Sequence, residues 1–233
     1  MAAAERLLTT AGPGSVSMDA VAAAAGAGKM SAYRHFASKE DLVAAALERH
    51  NPRHVRWLVG ARQTAEPGRA AGAGPALAGS APVDECHTDP ARADLGHAEP
   101  AKSMLSAFDR LESAAGSEPF RGCPFVDSAL AAPGTDDRPG RIAWAHKQQV
   151  ARELARLAAR AGLPEPGELG AAVALVIDGA AVQAALAPDA ASRQQIVRRA
   201  RRAAEILLAV AARRARDERP GAGKRRVRPG GQS

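Results

Sequence analysis

Aromatic residues are scarce in this chain. Four phenylalanines, two tryptophans and one tyrosine make up 3% of its 233 residues. With so few large flat side chains and so much alanine, the sequence favours closely packed helices over sheets. Cysteine is nearly absent as well. Cys86 and Cys123 stand far apart and form no Cys-x-x-Cys pair, so two free thiols in a reducing cytoplasm are expected rather than a disulfide framework. Cys86 and His87, with His97 nearby, lack a fourth ligand at a usual spacing, and no metal site is expected. No run of eighteen uninterrupted apolar residues occurs, and residues 1–12 lack a cationic start followed by an apolar core. Neither a membrane span nor a secretory signal is therefore expected. A Gly-rich phosphate loop and a Gly-x-Ser-x-Gly elbow are also missing, which argues against an enzyme and against a bound cofactor.

Positive charge is present but unevenly placed. The net charge is +7, and residues 213–233 carry about six of those charges. The first fifty residues hold five basic and five acidic side chains. The high pI is thus mostly a property of the tail and says little about the N-terminal region.

What the N-terminal region does contain is a close succession of three helix signals over residues 17–41. Ser17 suits an N-cap, with Asp19 in the first turn behind it. The helix that follows ends at Gly26, a residue suited to a left-handed C-terminal position. After the Gly26-Ala27-Gly28 turn a second helix is predicted over 29–36, and the run Ser38-Lys39-Glu40-Asp41 has the form of a capping box opening a third. Two short helices joined by a three-residue glycine turn form a helix-turn-helix, whose second helix enters the DNA major groove. Lys29, Arg34 and Lys39 bring three cations and no acid to that second helix and its end. Ala32 and Phe36, one turn apart, are expected to face the domain core.

Residues 17–50 resemble the DNA-binding domain of the TetR family of bacterial transcriptional regulators. The resemblance rests on Ser-Met-Asp-Ala-Val-Ala, Ala-Gly, Tyr-Arg-His-Phe and Ser-Lys-Glu-Asp-Leu, in that order and at the family's spacing. It implies that Lys29, Met30 and Arg34 approach base edges. It implies that Ser31, Tyr33, His35 and Lys39 hold phosphates, with Ser17 at the head of the preceding helix joining the DNA-binding set. Gly28 departs from the family pattern, where a serine or threonine commonly caps the recognition helix; glycine caps almost as well. Residues 2–11 read as a helix that starts about three turns later than the family's first helix. Either that helix is short here, or the native start lies upstream.

The remainder reads as helix after helix. Leu42, Val43, Ala46 and Leu47 continue the third helix, and Asn51-Pro52 is expected to interrupt it before an amphipathic piece with Trp57 in the packing. Glycine, alanine and proline dominate residues 65–100, which read as a flexible low-complexity segment. Helices are predicted over 101–114, up to Leu130, over 139–161, over 166–186 and from Asp189 to about Arg214. The helix over 166–186 is apolar all round and the last has one apolar side, more than one small domain can bury. A homodimer joined by these two C-terminal helices is expected.

The expected architecture is therefore all-α: a helix-turn-helix DNA-binding domain over residues 1–50, a helical ligand-binding and dimerisation domain over 51–215, and a basic tail over 216–233. The family resemblance implies a repressor released from a near-palindromic double-stranded operator by a small-molecule effector, largely apolar. Phe108, Leu111, Phe125, Trp144, Val173, Ile177, Asp178 and Gln183 are the candidate pocket residues. Asp178, an acid amid apolar neighbours, is expected to find its partner across the dimer or in that pocket. The alternative is a helical dimeric interaction protein with a weakened DNA-binding domain.

Overall fold

The computed structural model describes residues 1–60, 90–131 and 138–218, without the side chains of Lys29 and of 90–99. Among the described residues the secondary structure is helical: α1 (Ala2–Ala11), a 3-10 turn (Pro13–Ser15), α2 (Met18–Ala24), α3 (Lys29–His35), α4 (Lys39–Val59), α5 (Pro90–Ala115), α6 (Pro124–Leu130), α7 (Arg138–Arg160), α8 (Pro166–Leu186) and α9 (Ala190–Asp217).

Two hydrophobic cores organise these helices. The N-terminal core gathers Ala3, Ala4, Leu8, Val16, Met18, Val21, Leu42, Val43, Ala46 and Leu47. The larger core gathers Met104, Phe108, Leu111, Val150, Leu154, Val173, Ile177, Val197 and Leu208 from α5, α7, α8 and α9. Helix α4 belongs to both, since Val55, Leu58 and Val59 at its far end enter the larger core. Phe125 from α6 and Ala143 from α7 reach the other way and enter the N-terminal core.

The expected break at Asn51-Pro52 does not occur: α4 runs through Pro52 as one helix of 21 residues. Pro52 lies on an exposed face, where water can satisfy the carbonyl one turn earlier that a proline leaves without its N–H partner. Burial of α4 at both ends outweighs that local penalty. The low-complexity reading of 65–100 is also corrected at its end, because α5 already begins at Pro90 and passes through Pro100. A proline suits the first turn of a helix, and the alanine-rich sequence that follows favours helix. Residues 61–89 and the tail from 219 onward lie outside the described residues, and with them Cys86, His87 and the loop expected there.

Arginines close two helix ends. Arg110 on α5 donates to the Leu58 carbonyl at 3.0 Å, next to the left-handed Gly60 that ends α4. Arg193 on α9 is almost fully buried, donates to the Ala115 carbonyl at 2.9 Å and pairs with Glu118. Each satisfies a C-terminal carbonyl that a helix leaves without an internal partner. Helix α8 is long and apolar enough to cross a membrane by length and composition alone. Here it packs between α7 and α9, with Leu169, Val173, Ala174, Ile177, Ala180, Ala181 and Ala184 buried.

Candidate nucleic-acid interface and its joint to the regulatory half

The helix-turn-helix is built by caps that the sequence announces. Ser17 accepts the Ala20 N–H at 3.1 Å and opens α2. Its hydroxyl hydrogen is left to donate elsewhere. At the other end of α2, Gly26 is left-handed (φ +63°). The Gly26 N–H reaches the Ala23 carbonyl at 3.1 Å and the Ala27 N–H reaches the Ala22 carbonyl at 2.9 Å, the paired bonds of a Schellman termination. Gly28 then opens α3 with extended backbone and no side-chain cap.

Helix α3 is anchored on one side and open on the other. Ala32 and Phe36 are half-buried against the N-terminal core, as their spacing requires. Met30 is 74% exposed and Tyr33 49% exposed, and Arg34 and His35 are exposed with them. Ser31 is half-buried. Ser38 caps α4 by accepting the Asp41 N–H at 3.0 Å, with exposed Lys39 beside it. The Asp41 carboxylate meets Arg138 of α7 at 2.8 Å, and the same guanidinium reaches Glu48 at 3.3 Å. Glu5 is nearly buried and pairs with Arg53; Arg49 Nε lies 2.7 Å from its Oε1, a charge contact without hydrogen-bond alignment. Three of the five acids in the first fifty residues are thus engaged by arginines of α4 and α7. A zero net count therefore coexists with a cationic α3.

Between the two cores lies a polar and aromatic seam. Phe125 stacks on His146 with centroids 3.8 Å apart and planes 8° from parallel. His54 meets Phe125 edge-on at 5.5 Å and His146 at 5.0 Å. His146 Nδ1 lies 2.6 Å from Asn51 Oδ1, and Asn51 donates to Gln149 at 2.9 Å. This chain of bonds makes Nδ1 the protonated nitrogen of a neutral His146. The other ring nitrogen, Nε2, and His54 Nδ1 are buried without a hydrogen-bond partner. Burial, helped by the nearby positive charges of His50 and Lys147, holds His54 down to about 3. Burial, with His54, Lys147 and His50 adding, holds His146 down to about 2. Burial also lowers His50.

The candidate pocket residues do not converge on one place. Phe108, Leu111, Val173 and Ile177 lie together in the larger core, while Phe125 belongs to the N-terminal core. Trp144 is 67% exposed on α7. Gln183 is exposed and borders two open grooves of 440 Å³ and 290 Å³ along α8 and α9. Asp178 has an intrachain partner that sequence reasoning missed: Lys147 Nζ lies 2.5 Å from its Oδ1. Burial works against the Lys147 charge, but Cys123 and Asp178 more than offset it and keep Lys147 above its usual value. Trp57, expected in the packing, is 41% exposed and rests against His54 at 5.4 Å. The one available signal for the seam was the His50/His54 pair, one turn apart on α4.

A family model described as bacterial regulatory proteins, tetR family, matches residues 1–46. Its N-terminal domain is of the TetR type, and the chain is similar to TetR-family transcriptional regulators. Solved structures carry the likeness through the helices that follow α4. One described as a TetR transcriptional regulator from Streptomyces avermitilis superposes with a TM-score of 0.62 at 26% identity, covering 91% of this chain and 94% of that one. A TetR-family regulator from Streptomyces coelicolor gives 0.63 at 19% identity, covering 91% and 87%. The reduced form of NemR from E. coli gives 0.56 at 18% identity, covering 85% and 91%. The last two show shared fold alone. No curated protein matches the regulator.

Proposed function

We infer that this regulator is a homodimeric repressor that holds a near-palindromic operator through α3 and lets go when a small, largely apolar molecule enters its regulatory half. The carrying observation is the division of α3. Ala32 and Phe36 fix it to the core, and Met30, Tyr33, Arg34 and His35 face solvent. Arg34, with Lys29 and Met30, reads base edges. Ser17, Ser31, Tyr33, His35 and Lys39 contact phosphates, which set register without reading sequence. Residues 1–50 act as the DNA-binding domain and 51–215 as the regulatory and dimerisation domain, with α4 continuous between them.

Dimerisation uses the faces of α8 and α9 that one chain leaves open, where Leu175, Val182, Leu186, Ile206 and Val210 are exposed. An effector wedged among Phe108, Leu111, Val173 and Ile177 would part α5 from α8. Such a ligand acts by favouring a packing in which the two α3 helices no longer fit successive grooves. Phe125, Trp144, Asp178 and Gln183 complete the candidate contacts from neighbouring faces.

The test is binding to DNA from upstream of the regulator's own gene, followed by footprinting. The parent protein should protect a two-fold-symmetric site. Arg34→Ala should weaken it by about ten-fold or more, the scale of one lost base contact. A paired His35→Ala, Lys39→Ala change should weaken all sequences alike and flatten the salt dependence. If the parent and all variants bind random DNA equally well, the operator reading is wrong.

A further inference from the structure

Cys123, Lys147 and Asp178 meet where α6, α7 and α8 converge. Lys147 Nζ lies 3.3 Å from Cys123 Sγ and 2.5 Å from Asp178 Oδ1. DNA recognition by α3 makes no use of this trio. Cys123 is a free thiol and only half-buried. The Lys147 side chain is 19% exposed. The trio is therefore not sealed from solvent, and the carboxylate holds the lysine beside the sulfur. Oxidation turns a thiol sulfur from nucleophile to electrophile, and a sulfenic acid condenses with a nitrogen nucleophile in reach. Here the nitrogen is already in contact.

We propose that Cys123 and Lys147 form a reversible sulfur–nitrogen cross-link, a sulfenamide, when the regulator meets a peroxide. In the first step the Cys123 sulfur attacks one peroxide oxygen and the O–O bond breaks. The thiol becomes a sulfenic acid, oxidised by two electrons, and hydrogen peroxide is reduced to water. In the second step the Lys147 ammonium passes a proton to the Asp178 carboxylate. The freed nitrogen lone pair attacks Sγ, and the S–O bond breaks. Hydroxide leaves as water with a second proton from nitrogen, and Asp178 returns its proton to solvent. A thiol such as dithiothreitol reverses the bond. Its sulfur attacks Cys123 Sγ and expels the lysine amine, and its second thiol then releases Cys123 as the free thiol.

The cross-link would act on the joint between the two cores. A covalent S–N bond is far shorter than the 3.3 Å contact, so it draws the start of α6 toward α7. Phe125, two residues along, is fully buried in the N-terminal core and stacks on His146, the neighbour of Lys147. Any effect on operator binding rests on the DNA-binding reading above; the cross-link itself does not.

The experiment therefore reads mass before DNA. The chain carrying Cys86→Ser has Cys123 as its sole thiol, which removes an intrachain disulfide as a confounding product, and a disulfide between chains would show at twice the mass. After hydrogen peroxide the intact mass should fall by about 2 Da, the loss of two hydrogens on condensation, and return with dithiothreitol. Peptide sequencing should join Cys123 to Lys147. Lys147→Arg and Lys147→Gln in the same background should gain oxygen instead. Gain of oxygen in the parent with no joined peptide would overturn the proposal, as would the same mass loss in both lysine variants. Because these readouts need no DNA, a missing operator leaves the mass result standing.

Discussion

At the scale of single residues, the histidines of the seam set how the regulator responds to acid. His54 and His146 are held near 3 and near 2 in the folded chain, whereas an unfolded histidine titrates near 6.5. Below that unfolded value the unfolded chain binds protons that the folded chain refuses. Stability is therefore full above about pH 7 and falls as the pH drops through the mid-sixes toward the folded values. From about pH 7.5 to about pH 5.5 the two histidines together should cost about 2–3 kcal/mol. Urea midpoints measured across that interval check this, and His146→Gln should remove about half of the slope. A flat profile in the parent would mean that the two rings are not buried and neutral as described. Beyond the His50/His54 pair, one turn apart, none of this was legible from sequence. Asp178 stood out as an acid among apolar residues, but Lys147 is 31 positions away and no periodicity links the two. Ala32 and Phe36, by contrast, were assigned correctly, because one helical turn of spacing fixes which face they share.

At the scale of elements, α7 and α8 cross closely at Gly170. A Cβ there would lie 2.4 Å from the Ala155 nitrogen and 2.8 Å from the Ala151 carbonyl oxygen. Both are backbone atoms of α7, so the helices would have to separate. Gly170→Ala should destabilise the protein by about 1–3 kcal/mol, less the helix propensity gained. Gly167→Ala, on the same helix with nothing within 4 Å, should be neutral or slightly stabilising. Thermal melts of the pair decide it; equal midpoints would deny the close crossing. Helix boundaries were largely legible, since Ser17, Gly26, Ser38 and Asp189 cap or terminate as their residue types suggest. Pro52 misled, because a proline's local cost is known from sequence and the burial that outweighs it is not. The continuity of α4 is what places both cores on one rigid element, and it also explains why Arg138 of α7 reaches back to Asp41 and Glu48.

At the scale of the whole molecule, five of the ten large hydrophobic side chains exposed among the described residues lie on the last two helices. Leu175 is 72% exposed, Leu186 81% and Ile206 65%, with Val182 and Val210 about half exposed. On α8 the spacing of 175, 182 and 186 puts these residues on one face, opposite the buried Val173 and Ile177. In the dimer proposed above, two such helix pairs, one from each chain, would close into a four-helix bundle that removes this surface from water. The pair Leu175→Glu and Ile206→Glu therefore places charge where the single chain has no core to disturb. Light scattering should show a dimer in the parent and a monomer in the double variant, with helix content by circular dichroism unchanged. If, as proposed, a two-fold operator is gripped by both reading heads at once, losing the dimer should weaken operator binding by on the order of a hundredfold or more. The Arg34→Ala dimer should lose less, and lose it on specific sequence alone. A double variant that stays dimeric would move the interface elsewhere, and one that is monomeric yet binds the operator undiminished would separate DNA reading from dimerisation.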